Sequence, residues 1–347
     1  MHLIMSLRIL VSLLTTVFTH SASVLQAADT RADFLKLIDR PRVPLAVSTL
    51  EAPAPAGLTR IDFTYAADTT NRVPAFLLKT SSTPTNRRPV IIVLHGTGGS
   101  KESELPYLSE LAHTGFIAVA IDGRYHGARS RSGKGSADYI DAILRAFRTK
   151  KEHPFFYDTA WDVMRLIDYL VTRADVDPAR IGLFGISKGG IETYLTAAVD
   201  PRVAVAVPCI AVESFRWAIE NNSWQSRIGT VQAAFDAAAK DSGITSPRSD
   251  FVHIFYARVA PGLDREFDGP AMVPLISPRP LLIINGQIDP RTPLPGLQLC
   301  IDATLFAYHA ASAEEKFAQL IQPGIGHKVT PEAYHQARAW FVRWLKP

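Results

Sequence analysis

The chain has 347 residues, 47% of them hydrophobic and 20% charged, with 21 Gly, 24 Pro and only 2 Cys. A disordered tail, a collagen-like repeat and a disulfide-stapled miniprotein are excluded, and the length suffices to bury a sizeable core. The formal charge of +4 is spread along the chain; the densest basic group, Arg148, Lys150 and Lys151, reads as a solvated helix end, so nucleic acid is not an expected partner.

The chain opens with Arg8, the apolar stretch Ile9 to Phe18 and the small and polar run Ser21 to Ala28, with no acidic residue before Asp29. This is the layout of a secretory signal peptide, and its apolar part is shorter than the roughly 20 residues that cross a bilayer. Cleavage is expected near Ala27 or Ala28, which leaves residues 28–347 as a single exported domain without stable membrane insertion, secreted or periplasmic. Cys209 and Cys300 then meet an oxidising compartment. Their apolar contexts, Val-Pro-Cys-Ile and Gln-Leu-Cys-Ile, favour buried unpaired thiols.

After a Pro-rich approach through Pro41, Pro44, Pro53 and Pro55, Leu58 to Tyr65 and Val73 to Lys79 read as strands of an antiparallel edge. Short β-branched runs follow, each ending in a turn: Val90–Leu94, Phe116–Ile121, Ile181–Phe184, Val203–Val207, Leu281–Ile284 and Phe317–Ile321. Such runs suit strands buried on both faces. Helical stretches lie between them, the clearest at Thr159 to Thr172, so a mostly parallel sheet wrapped by helices is predicted. A closing helix over Pro331 to Leu345 is predicted from Thr330 as N-cap, Pro331 at the first helical position and an apolar stripe through Phe341. From Glu213 to Arg279 no buried strand is evident. That stretch, about 213–279, holds two or three amphipathic helices and many aromatics, and is expected to form a helical cap inserted over one end of the sheet.

The sharpest chemical feature is Gly185-Ile-Ser187-Lys-Gly189-Gly190, which follows one buried run and precedes a helix. A Ser pinched between strand and helix projects its hydroxyl from a tight turn, and the flanking glycines remove Cβ atoms that would clash. A serine hydroxyl needs a base and an orienting acid. Asp289, in Asn285-Gly-Gln-Ile-Asp289, and His327, in Pro323-Gly-Ile-Gly-His327, each follow a predicted parallel strand and so fall on the same rim as Ser187. The backbone N–H of Lys188, at the helix start, and that of Thr97, in His95-Gly-Thr97-Gly-Gly, are the expected oxyanion donors. His95, His126 and His309 are rival bases and Asp302 a rival acid, set too deep in a helix. His126 orders its loop or lines the pocket, and with Trp217 is a candidate for substrate contact. Glu192 reads as a supporting or surface residue. Neither His-Glu-x-x-His nor a close Cys/His cluster points to a metal, and no strand leads into Gly-x-Gly-x-x-Gly.

These motifs resemble those of an α/β-hydrolase on the dienelactone hydrolase and prolyl-oligopeptidase-like side of that superfamily, over about residues 58–347. The matching residues are His95-Gly-Thr-Gly-Gly, Gly185-Ile-Ser-Lys-Gly, Asn285-Gly-Gln-Ile-Asp289 and Gly326-His327. Arg124-Tyr-His-Gly and Phe215-Arg-Trp-Ala-Ile219 further resemble a group of hydrolases of bacteria and plants. The resemblance implies a single catalytic domain, a Ser187–His327–Asp289 triad and no cofactor; the reading adopted from these residues is a serine ester hydrolase with a small-molecule ester as substrate. An aminopeptidase or amidase with the same triad, and a weakly catalytic binding protein, are the alternatives. The N-terminal region is too short for the propeller that prolyl oligopeptidases carry, which disfavours the peptidase.

Overall fold

In the computed structural model, residues 29–81, 86–133 and 136–347 are described; the predicted signal peptide lies outside them. Nine strands among these residues form one sheet in the order β1-β2-β3-β5-β4-β6-β7-β8-β9. The antiparallel edge consists of β1 (Ser48–Ala52), β2 (Leu58–Ala66) and β3 (Arg72–Thr80). From β5 (Ile117–Ile121) through β4 (Arg88–Leu94), β6 (Val176–Ile186), β7 (Val203–Cys209), β8 (Leu281–Gly286) and β9 (Phe317–Gln322) all pairs are parallel.

The two faces of the sheet explain why its central strands are apolar throughout. Val90, Ile92 and Leu94 point into one core together with Trp161 and Ile167, while Ile91 and Val93 point into the other with Leu108 and Phe341. Alternate residues therefore face different helix layers, and neither face tolerates polarity. One layer holds α4 (Tyr157–Leu170), α5 (Lys188–Val199) and α11 (Leu294–Ala310); the other holds α2 (Leu105–His113) and α12 (Pro331–Leu345). In α12 the Thr330 hydroxyl accepts from the Ala333 N–H, as its N-cap position requires. A first helix, α1 (residues 29–38), packs Phe34 edge-on against Tyr157 and Phe267.

The sequence reading did not include β1. Four of its five residues are exposed, so it lacks the apolar alternation by which a strand is recognised, and it exists through its pairing of Ser48–Ala52 with Arg60–Thr64.

Between β7 and β8 the chain forms five short helices: α6 (Phe215–Glu220), α7 (Gln225–Ile228), α8 (Gln232–Asp241), α9 (Ser249–Val259) and α10 (Gly269–Met272). α8 and α9 lie against α3 (Ser136–Thr149). Ring contacts fasten them, with Phe235 and Phe251 at 5.2 Å, Phe147 and Phe255 at 5.8 Å, and Phe215 and Tyr256 at 5.4 Å between centroids. The three pairs are tilted, stacked and edge-on respectively, and aromatic pairs add about 0.5–1.5 kcal/mol each beyond the area they bury.

Candidate active site

Ser187 sits between β6 and α5 with φ 54° and ψ −114°, a backbone state that costs a non-glycine residue on the order of 1–3 kcal/mol. Its N–H donates to the Cys209 carbonyl at 2.9 Å. The turn closes only because its neighbours lack side chains. A Cβ on Gly185 would lie 2.1 Å from the Gly189 carbonyl oxygen, and one on Gly189 would lie 2.2 Å from that of Leu94. The result lifts the Ser187 hydroxyl out at the carboxyl end of a central parallel strand.

Two further loops at that rim meet it. His327, just after β9, has Nε2 2.8 Å from Ser187 Oγ, and its Nδ1 lies 2.8 Å from one oxygen of Asp289 and 3.0 Å from the other. Asp289, just after β8, also accepts from the Arg291 backbone N–H at 2.8 Å. Burial raises its pKa, but the hydrogen bond and charge of His327 and the Arg291 amide outweigh that and hold the carboxyl below its ordinary value. Ser187, His327 and Asp289 thus form one hydrogen-bonded chain from three loops far apart in sequence. Of the rivals, Asp302 is exposed on α11 and accepts from Gln298, and His309 pairs at the surface with Glu314.

Thr97 and Lys188 line the same cavity as Ser187 and His327. The Thr97 loop is shaped by Gly98 at φ +82° and by a Gly99 N–H to Gly96 carbonyl bond of 3.1 Å. Lys188 is the first residue of α5, so its amide has no acceptor within the helix. His95 fastens the loop from behind: Nδ1 donates to the Gly96 carbonyl at 2.8 Å and Nε2 accepts from the Gly123 N–H at 3.0 Å. Burial, reinforced by the Lys188 charge, lowers its pKa to about 3, so it is neutral and that tautomer is fixed.

His126 lies behind this loop, away from the cavity. Its ring is fully buried, 5.1 Å from the His95 ring and 4.7 Å from that of Tyr139, and its Nδ1 donates to the Arg124 carbonyl. Of its two expected roles, this position suits the ordering of the loop. Trp217 is half-buried on α6 against Gly296 at the start of α11, and the cavity wall is made by other side chains. Glu192 is fully buried rather than at the surface, and accepts from Lys188 Nζ at 2.8 Å.

The cavity wall also contains Phe155, Phe156, Phe215, Arg227, Thr230 and Arg291. Of these the sequence singles out only Phe215, as the first residue of the motif Phe215-Arg-Trp-Ala-Ile219 and not as part of a cavity wall. Phe156 takes φ 77° at the entry to α4, which no sequence pattern marks. Arg291 had a signal, because it stands two residues after Asp289. Glu213 is buried, neither of its carboxyl oxygens has a hydrogen-bond partner among the described residues, and burial raises its pKa to about 8. Cys209 and Cys300 are both buried and unpaired, as expected, and among the described residues no helix is long and apolar enough to cross a membrane.

The parallel sheet, the strained Ser between β6 and α5 and the rim loops define an α/β-hydrolase, and comparison with known proteins identifies a carboxylesterase-type hydrolase of the dienelactone hydrolase-like branch. A family model described as glucuronyl esterase of fungi matches residues 66–312, and the chain belongs to that family. YtaP of Bacillus subtilis (strain 168), a hydrolase by its name alone, is 25% identical over 287 residues, which span 79% of this chain and 84% of YtaP. The 4-O-methyl-glucuronoyl methylesterase of Hypocrea jecorina (strain QM6a) is 29% identical over 134 residues, 38% of this chain and 27% of that enzyme. Among solved structures, acetyl xylan esterase 1 from Thermoanaerobacterium sp. JW/SL YS485 superposes with a TM-score of 0.64 at 18% identity, covering 92% of this chain and 93% of its own. At that identity the likeness speaks for the fold alone.

Proposed function

We propose that the protein is an exported serine esterase that cleaves carboxylic esters through an acyl-enzyme, with Ser187 as nucleophile, His327 as general base and then acid, and Asp289 as the carboxylate that orients the imidazole. The observation that carries this reading is the position of His327, within hydrogen-bond reach of Ser187 Oγ on one side and of the Asp289 carboxylate on the other. Asp289 holds the proton on Nδ1, which leaves Nε2 as an acceptor facing the hydroxyl. As Oγ attacks the ester carbonyl, His327 takes its proton and the carbonyl oxygen becomes an anion. The Thr97 and Lys188 amides hold that oxyanion. His327 then returns the proton to the departing alcohol, and a water activated by the same nitrogen hydrolyses the acyl-enzyme. Loss of one such oxyanion donor costs about 100- to 1,000-fold in turnover.

The helices from α6 to α10 serve as the cap over this rim, since α6 and α7 contribute Phe215 and Arg227 to the cavity wall. Acetylated xylan and methyl esters of glucuronic acid are the first natural substrates to try, because similar proteins carry the names acetyl xylan esterase and glucuronoyl methylesterase. The N-terminal Arg8 to Ala28 layout supports export.

The test is labelling of the purified mature protein with a fluorophosphonate probe, read by intact mass beside Ser187→Ala. A single adduct that maps to Ser187 and is absent from the variant is expected, together with a loss of ester turnover of about 10⁶-fold in a folded protein. Turnover near wild type in folded Ser187→Ala would remove the assignment.

A further inference from the structure

Two guanidinium groups stand in the wall of the cavity that holds Ser187, those of Arg227 and Arg291. Arg227 is only 7% exposed, its guanidinium lies over the Phe215 ring at 5.1 Å, and its Nε is buried with no hydrogen-bond partner among the described residues. Arg291 donates to the Thr230 hydroxyl. Burial and the repulsion of Arg227 both act to lower the Arg291 pKa, so the two positive charges feel each other across a poorly solvated space.

No carboxylate among the described residues forms an ion pair with either side chain, and the nearby acids are otherwise engaged. Asp289 is taken up by His327 and the Arg291 amide. Asp268 accepts from the Ser214 hydroxyl and from the Phe215 and Gly269 amides. Glu213, held up to about 8, is mostly protonated at neutral pH. Two other buried arginines are paired, Arg124 with both oxygens of Asp162 and Arg165 with Asp168, whereas the buried Arg88, outside the cavity, donates to the Thr80 hydroxyl. A buried cation without a counterion is costly, and a guanidinium fork is suited to a planar oxyanion such as a carboxylate.

We propose that Arg227 and Arg291 form a carboxylate subsite, so that the preferred ester carries a free carboxylate a few bonds from the scissile carbonyl. This rests on the reading of Ser187 as nucleophile. The carboxylate replaces the missing counterion when substrate binds, and it draws the ester into a cavity whose wall also contains Phe155, Phe156 and Phe215.

The test uses two matched ester pairs. The mono-para-nitrophenyl ester of glutaric acid against para-nitrophenyl valerate places the charge on the acyl side; para-acetoxybenzoate against its methyl ester places it on the alcohol side. The wild type is expected to favour the charged member of at least one pair by about tenfold or more in kcat/KM, chiefly through KM, with the preference shrinking as salt is added. Arg227→Gln and Arg291→Gln should each cut that preference by about tenfold. Arg291 is half exposed, so its variant carries the test if Arg227→Gln does not fold. Turnover of the neutral esters with no charge preference, or a preference that survives both substitutions, would overturn the subsite and leave the esterase reading intact. Calorimetric titration of Ser187→Ala with para-acetoxybenzoate and with the mono-para-nitrophenyl ester of glutaric acid separates the two claims. Binding of either that is lost on adding Arg227→Gln or Arg291→Gln supports the subsite even if the wild type turns over no ester, whereas absence of binding of both in Ser187→Ala overturns it.

Discussion

A single carbon added at Gly189 would lie 2.2 Å from the Leu94 carbonyl oxygen, whereas the contact between Phe235 of α8 and Phe251 of α9, 5.2 Å between centroids, is one that several pairs of large apolar side chains could make. In the turn around Ser187, backbone atoms approach so closely that the fold dictates residue type at Gly185, Gly189 and Gly190. In the helices between β7 and β8 the constraint is volume and burial, which leaves the choice of residue open. A site can therefore be rigid in its chemistry and free in what surrounds it.

The largest test of this contrast is Gly189→Ala beside Phe251→Leu. The first should abolish esterase activity and cost about 3 kcal/mol or more, because the obstruction is backbone that cannot rotate away. The second should cost less than about 1.5 kcal/mol and leave activity near wild type. Urea denaturation and ester turnover on both proteins check it, and similar losses in the two would erase the distinction.

Next in size is Glu213→Gln. Burial, partly offset by Arg227, raises the Glu213 pKa from 4.5 to about 8, so the folded protein binds the proton more tightly than the unfolded chain. Stability contributed by the protonated group is present below about pH 4.5 and is lost as pH rises toward about 8, at no more than about 1.4 kcal/mol per pH unit. The glutamine variant loses this slope. Its melting temperature should therefore gain on the wild type steadily between pH 5 and pH 8; Glu104, raised by burial to about 7, adds the same slope to both proteins and cancels. A pH-independent difference would show that Glu213 is ionised in the folded state. The smallest effect is expected at Trp217, half-buried against Gly296. Trp217→Ala should change kcat/KM by no more than about threefold, an amount close to 0.6 kcal/mol, and a loss of tenfold or more would place it in substrate contact.

The strands β2 to β9 were legible because their apolar runs answer to burial on a sheet, and the Ser187, Asp289 and His327 loops because each follows such a strand. β1 was not legible, since an exposed edge strand is held by pairing rather than by pattern. For Glu192 the reading left a supporting and a surface role open: the i,i+4 spacing from Lys188 allows their pairing, but only the packing around α5 shows that the pair is buried. Arg227 and Phe156 carry no local signal at all. One lies on a four-residue helix and the other owes its position to a left-handed backbone that only the surrounding packing imposes.

The two unpaired thiols lie on opposite faces of the sheet, Cys209 with the α2 and α12 layer and Cys300 with the α4, α5 and α11 layer. Burial pushes both pKa values well above that of a free thiol, and a closed layer shields each sulfur from alkylating reagents. Their separate alkylation rates would act as two internal clocks, one for each side of the molecule. A single shared rate would mean that both layers open only in one global event, and unequal rates would name the side that breathes first.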